Sequence, residues 1–264
     1  MGLKKHMNLF GYALDSIFTY KIRTIAIVSS LIIAVTVLGS VIFISDGLER
    51  EAELSSLFAP DITVQYLQAG RQILVPISIV QDILTQTGNS SGVNVVPRVW
   101  GYIYHQNRLY TVMGIDPEGM PIPEEINFAI LSGRFLQRND SKVVVIGDVF
   151  AEMFDVEVNE TLILFDDAMN PHNFTVLGIF TMEVRLYTAD LIVVPIGDAR
   201  EFFAITEDYA TDLCVYVNDP AETRYIAQQI IDGISNTRVL TREALREALI
   251  TAYGARSGFI SVIW

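Results

Sequence analysis

The sequence is short of nearly everything on which enzyme chemistry rests. One cysteine, Cys214, stands alone in 264 residues, so no internal disulfide forms and the redox compartment is not legible. It sits in LCVYV, the pattern of a buried strand, where a thiol packs as a small apolar side chain. Three histidines, His6, His105 and His172, are too scattered to suggest a metal centre. No G-x-x-x-x-G-K-S/T phosphate loop occurs, which excludes ATP hydrolysis by that route, and H-E-x-x-H, C-x-x-C and G-x-G-x-x-G are missing as well. Without a pairing of acid, base and nucleophile, the expectation is a protein that is not an enzyme and has no catalytic residue, cofactor or metal.

Basic residues are scarce too. Lys and Arg number 18 against 31 Asp and Glu, for a formal net charge of −13. Lys4, Lys5, Lys21 and Arg23 lie at the N-terminal end against one acid, Asp15, and the remainder of the chain is acidic. Nucleic acid is excluded as a partner, because it requires clustered Lys and Arg to replace counterions.

What is present is an apolar run. From Ile25 to Ile44 the sequence carries no charge. At 1.5 Å per residue a helix of this length reaches ~30 Å, the thickness of a bilayer's hydrocarbon core. Ser29, Ser30, Thr36, Gly39 and Ser40 suit such a helix, since small hydroxyls return their hydrogen bond to the backbone and small faces pack on other membrane helices. A cleaved leader has an apolar region of only ~7–15 residues and a small-x-small cleavage site, which Val41–Ile44 and the following SDG do not provide. Residues 25–45 are therefore read as a retained transmembrane helix. Lys21 and Arg23 precede it, whereas Asp46, Glu49, Glu51 and Glu53 follow, so the N-terminus is assigned to the cytoplasm and the bulk of the chain to the outside of the plasma membrane. Residues 1–24 form the cytoplasmic segment. There Leu9, Phe10, Ala13, Leu14, Ile17 and Phe18 share one helical face, either an amphipathic helix on the inner membrane surface or a plain helical extension.

Residues 46–253 read as an extracytoplasmic domain. A polar helical continuation from Asp46 to Ser56 is broken by Pro60, and Asp61–Tyr66 alternates as a strand. Ser78–Thr87 reads as a helix ended by Gly88; Val93–Tyr104 and Leu109–Ile115 read as strands around a turn at 105–108. Residues 116–127, with Pro117, Pro121 and Pro123, form an irregular link. Strands follow at 142–147, 161–165, 174–180, 191–195 and 213–217, with helices at Asp148–Phe154 and Asp198–Phe203. A helix after Asp219, its cap, carries Pro220 in its first turn and Gly233 at its end. The fold class is α+β: an N-terminal transmembrane helix, then a mixed α/β domain in one or two lobes. Near the C-terminus, Thr241 can cap a helix in which Ala244, Leu245, Ala248, Leu249 and Ala252 share a face. Residues 254–264 end in FISVIW, which reads either as a frayed amphipathic end or as the start of a second membrane helix.

Two local patterns carry weak chemistry. Asp166, Asp167, Asn170, His172 and Asn173 bring hard ligands together, but their order does not match a calcium loop, and Asp, Asn and Pro are what a hairpin turn selects. Asn89, Asn139, Asn159 and Asn173 stand in Asn-x-Ser/Thr triplets, which agree with export where the organism glycosylates.

The order of segments resembles a known family. YKIRT at 20–24 leads into a first membrane helix, and then come VMGIDPE (112–118), LSGRF (131–135), VVVIG (143–147) with Ala151 and Phe154, FTVLGIF (174–180), ADLIVVP (189–195) with Phe202, and LCVYVNDPAE (213–222). In this order they resemble permease subunits of the MacB/FtsX-like class of ABC transporters. The resemblance implies a MacB periplasmic-core-type domain inserted between the first and second of four membrane helices. It also implies a separate ABC ATPase subunit as partner, the lipid bilayer as setting, and a permease homo- or heterodimer. Such a domain transmits ATP-driven motion to a substrate or partner outside the membrane. Gly133 and Gly178 are expected to serve turns or close strand approach rather than a ligand. Residues 254–264 then become the start of the second membrane helix, with the later helices and the loop that meets the ATPase expected outside these 264 residues. The alternative, from a different class, is a single-pass membrane-anchored surface binding or sensor module without transport activity.

Overall fold

The computed structural model describes residues 19–87, 92–106, 108–119 and 128–256. The N-terminal amphipathic segment, His6, Gly88, Asn89, residues 120–127 of the proline-containing link and the last eight residues lie outside that range. The described residues form two compact units: Glu51–Thr251 is one, and the apolar stretch up to Arg50 is the main part of the other.

The first element is one unbroken helix, α1 (Lys21–Leu57). Ser30 Oγ donates to the Ala26 carbonyl and Ser40 Oγ to that of Thr36, both at 2.8 Å, which removes the cost of carrying hydroxyls in an apolar helix. Among the described residues it is the one helix long and apolar enough to cross a membrane, and none of its apolar stretch is buried.

The second unit is built on β1 (Ile62–Gln68), β2 (Arg71–Ile73), β3 (Val75–Pro76), α2 (Ile79–Gln86), β4 (Val93–His105), β5 (Arg108–Ile115), β6 (Ala129–Gly133) and β7 (Val143–Gly147). It continues with α3 (Asp148–Phe154), β8 (Thr161–Phe165), β9 (Pro171–Thr181), α4 (Arg185–Asp190), β10 (Leu191–Pro195) and α5 (Ile196–Phe202). It ends with β11 (Tyr209–Ala210), β12 (Asp212–Val217), α6 (Thr223–Gly233), β13 (Thr237–Thr241) and α7 (Arg242–Arg256). Eleven strands form one sheet in the order β13-β1-β12-β4-β5-β10-β7-β9-β6, with β2 on β1 and β8 on β9. Its pairs are antiparallel except β5–β10 and β7–β9.

The sheet is continuous through one strand. β4 pairs with β12 over residues 93–98 and with β5 over residues 99–105. This splits it into a first half (β13, β1, β12) and a second half (β5, β10, β7, β9, β6), both within the one compact unit Glu51–Thr251. In the first half Ile62, Val64, Leu213 and Val215 meet Ile83 of α2 and Ile226 and Ile230 of α6. In the second half one face packs Val112, Ile146, Val176 and Ile192 on Phe150 of α3 and Phe202 of α5. Its other face packs Met113, Val145, Phe180 and Val193 under Leu54, Leu57 and Phe58 at the end of α1.

Burial explains the sequence patterns. All five residues of β10 are buried, because both faces of that strand are covered. β8 alternates exposed and buried residues, because one of its faces meets solvent. Gly133 adopts φ +72°, and a Cβ there would lie 2.1 Å from the Leu177 carbonyl oxygen; one on its partner Gly178 would lie 2.3 Å from that of Arg134. Both glycines thus permit close strand approach, as expected.

Several elements differ from the sequence expectation. β2, β6 and β13 are edge strands too short to show a period, and α4 is a six-residue helix with no capping side chain. Asp219 does cap, accepting from Ala221 N at 2.9 Å, but the turn it starts is a 3-10 helix (Pro220–Glu222) leading into α6. α5 begins at Ile196 rather than Asp198, whose buried carboxylate instead accepts from Ser141 Oγ at 3.0 Å and from Lys142 N. On α7, Leu245 and Leu249 are half-buried while Ala244 and Ala248 are exposed, so the buried face is rotated from the expected one and includes Arg246.

Candidate functional site

The feature most open to function is the seat that receives the end of α1. The last turn of any helix leaves carbonyl groups without intrahelical donors. Here a side chain from a distant segment supplies one of them, and a second holds a carbonyl just past the helix end. Tyr187 Oη, on α4, donates to the Ser55 carbonyl at 3.1 Å, and Arg242 Nε, at the start of α7, donates to that of Ala59 at 2.9 Å. The Tyr187 ring packs on Phe58 with centroids 5.0 Å apart. Ser55 and Ser56 are buried in the seat.

Arg242 also fixes the neighbouring strand. Its backbone N donates to the Asp61 carbonyl at 2.9 Å, and its guanidinium lies 3.2 Å from Asp61 Oδ1. Asp61 Oδ2 accepts from Val217 N at 2.9 Å, tying the start of β1 to the end of β12. Farther out, Arg246 of α7 reaches Glu53 Oε1 of α1 at 3.4 Å and forks onto Glu243. Arg246 is about one-third exposed and Glu53 more than half, so solvent screens the pair. The partly buried hydrogen bonds and Phe58, rather than that ion pair, hold the seat.

The space beneath the seat is small. The void lined by Phe58, Met113, Phe128, Phe180 and Met182 is about 10 Å³, room for about one water. A polar groove of about 310 Å³ opens at the ends of β5 and β10, lined by Asp116, Arg138, Asp140 and Asp198. Asp140 there is forked by Arg134 at 2.7 Å, and Asp198 is held as described, so these two carboxylates are structurally committed.

Of the residues singled out from sequence, Asp166, Asn170 and His172 come together in one hairpin, while the described histidines stay apart. Asp166 closes the β8–β9 hairpin: it accepts from Ala168 N and Asn170 N through Oδ1 and from Asn170 Nδ2 through Oδ2, with His172 Nε2 at 3.3 Å. Those bonds, Asn170's foremost, hold its carboxyl down at about 2. His105 lies against Phe154, far along the chain from His172, which meets Phe202 edge-on. Among the described residues no group of three His, Cys, Asp or Glu side chains is placed to hold a metal. Cys214 is 2% exposed, and burial pushes its thiol up to about 12. Asn139, Asn159 and Asn173 are all exposed. The seat residues Asp61, Tyr187 and Arg242 escaped sequence reasoning, since nothing local marks a tyrosine that will cap a helix 132 positions away.

An α/β domain that grips the end of a helix able to cross a membrane fits a membrane-anchored protein. The sequence matches the MacB-like periplasmic core domain over residues 24–232, and the chain belongs to that family. Among solved structures it resembles the extracellular domain of the noncanonic ABC-type transporter YknZ from Gram-positive bacteria. That likeness has 15% identity and a TM-score of 0.46, covering 68% of this chain and 99% of that one. A domain named for a permease protein of Porphyromonas gingivalis follows at 9% identity and a TM-score of 0.31, covering 67% of this chain and 85% of that one. No curated protein matches the chain. The family assignment rests on the sequence match, and it supports an ABC permease-type role.

Proposed function

We propose that the chain is a permease subunit, or part of one, of an ABC-type transporter, and that its domain transmits ATP-driven motion to a substrate or partner outside the membrane. The N-terminus is cytoplasmic, residues 25–45 span the plasma membrane and the domain from 46 to 253 is extracytoplasmic. A separate ABC ATPase drives the cycle, and two permease subunits act together. The domain works by position and not by catalysis.

One observation carries this reading. The last turn of α1 is held by Tyr187 from one half of the sheet, and Ala59, two residues past its end, by Arg242 from the other, so a displacement of α1 would be delivered to both halves at once. A flexible tether, sufficient for a surface binding module, needs no such grip.

The test is isolation of the tagged protein from native membranes in mild detergent. The reading expects resistance to alkaline carbonate extraction and co-purification of a Walker-A ATPase. It further expects an impermeant maleimide to label Glu152→Cys, but not Lys4→Cys, in intact cells. Release by carbonate, or labelling of Lys4→Cys alone, overturns it. Within the assembled transporter, Tyr187→Phe is expected to leave ATP hydrolysis intact and reduce the nucleotide-dependent displacement of the domain.

A further inference from the structure

The two halves of the sheet meet at a single strand, and the crossing point carries an unusual set of side chains. β4 leaves β12 after Arg98 and joins β5 at Val99. The backbone on either side of such a hand-off has two soft dihedrals per residue, so one strand alone is a hinge. Pro97 stands just before it. The Arg98 carbonyl points at β12, where it accepts from Thr211 N at 2.9 Å, so the missing Pro97 N–H faces the opposite edge. Pairing with β5 therefore begins only beyond the proline.

Three groups close the gap. Arg98 forks onto Asp212 through Nε to Oδ1 at 2.9 Å and Nη2 to Oδ2 at 2.8 Å. The Trp100 indole donates to the same Asp212 Oδ2 at 2.9 Å. Thr211 Oγ1 accepts from Trp100 N and donates to the Trp100 carbonyl, both at 3.0 Å, standing in for the strand residue that β12 lacks at that rung. Asp212 is 1% exposed, and the Arg98 side chain is 16% exposed.

A buried ion pair of this kind is a poor device for stability, because desolvation offsets much of its attraction; its value lies in direction, since fork and carboxylate meet in one geometry. Residues 98 and 100 of β4 are both tied to residues 211 and 212, one pair on each side of the hand-off. The bonds thus resist twisting of one half against the other.

We propose that Arg98, Trp100, Thr211 and Asp212 form a joint that makes the two half-sheets move as one rigid body. They are positioning residues for the transmission of motion. α1 is gripped from both halves, through Tyr187 and Arg242; a free hinge at β4 would let the halves shear, and the displacement would be absorbed inside the domain. The proposal rests on the transmission reading given above.

Its test uses the full chain in detergent at rest, with neither ATP nor ATPase, so a failure here leaves the permease reading standing. Spin labels are placed at Glu152→Cys on α3 and Arg224→Cys on α6, both exposed, while the buried Cys214 escapes labelling. The parent protein is expected to give one narrow distance distribution. The double variant Arg98→Met/Asp212→Leu replaces the pair with apolar side chains, a change that often leaves stability intact. It is expected to keep its unfolding midpoint while the distribution becomes roughly twofold wider, as the directional bonds are gone. A native width in the folded double variant overturns the proposal. Should that variant fail to fold, Thr211→Val decides: it removes one hydroxyl at nearly constant shape, and broadening supports the joint whereas a native width overturns it.

Discussion

The half-sheet containing β10 carries apolar layers on both faces, while the half containing β1 carries one on a single face. The sequences differ accordingly. LIVVP of β10 is buried throughout, whereas β1 buries Ile62 and Val64 but leaves Thr63 and Gln65 half-exposed between them. The second half is thus a three-layer core in its own right. The first half depends on α2, α6 and its ties to β4 and Arg242. The difference teaches where a displacement can enter: the layer that closes the second half's open face is supplied partly by the end of α1 itself.

The comparison breaks first in the cores. Phe180→Ala is expected to cost about 3–5 kcal/mol and Ile230→Ala about 2–5 kcal/mol, one in each half. With a tied joint, both lower a single cooperative transition followed by circular dichroism in urea. Two separate transitions, only one of them displaced by each variant, would show that the halves fold independently.

Gly133→Ala is a smaller perturbation of the second half's edge. The positive φ and the Leu177 carbonyl leave no room for a methyl group, so a loss of about 1–3 kcal/mol is expected. Hydrogen exchange should rise along β6 and β9 and stay unchanged in β1 and β12.

Arg246→Ala, at the rim of the seat, is expected to lower the urea midpoint only slightly, and the difference should vanish in high salt. A larger, salt-independent loss would make the rim part of the grip.

The smallest effect concerns pH. Asp166 is held down from 3.8 to about 2 by hydrogen bonds from Asn170 foremost and His172 among the rest. A carboxyl depressed in the folded state contributes stability that is present above its ordinary value and lost as pH falls through the depressed one. The Asp166 side-chain carboxyl shift in NMR should therefore stay at its ionised value down to about pH 4 and change between about 4 and 2, a step that Asp166→Asn removes.

Much of this was legible in advance. Periodicity placed β4, β5, β7, β10 and β12 within a residue or two, and the ordered motifs from VMGIDPE to LCVYVNDPAE pointed to the family that the sequence match establishes. The seat and the joint were not legible. Arg98 gave the one available signal, a charge inside the apolar strand VNVVPRVWGYIYH, which burial tolerates only beside a partner. Nothing in that signal says that the partner is Asp212, 114 positions away.

By itself the sequence determined the long apolar helix, the strands and most of the helices, because hydrophobic length, alternation and turn residues act over a few neighbours. Only the tertiary structure decided that β4 serves two half-sheets, that Thr211 fills a missing rung, and that Tyr187 and Arg242 hold the end of α1. Those outcomes depend on buried polar groups finding donors and acceptors across the fold, and that matching is set by strand order rather than by sequence spacing.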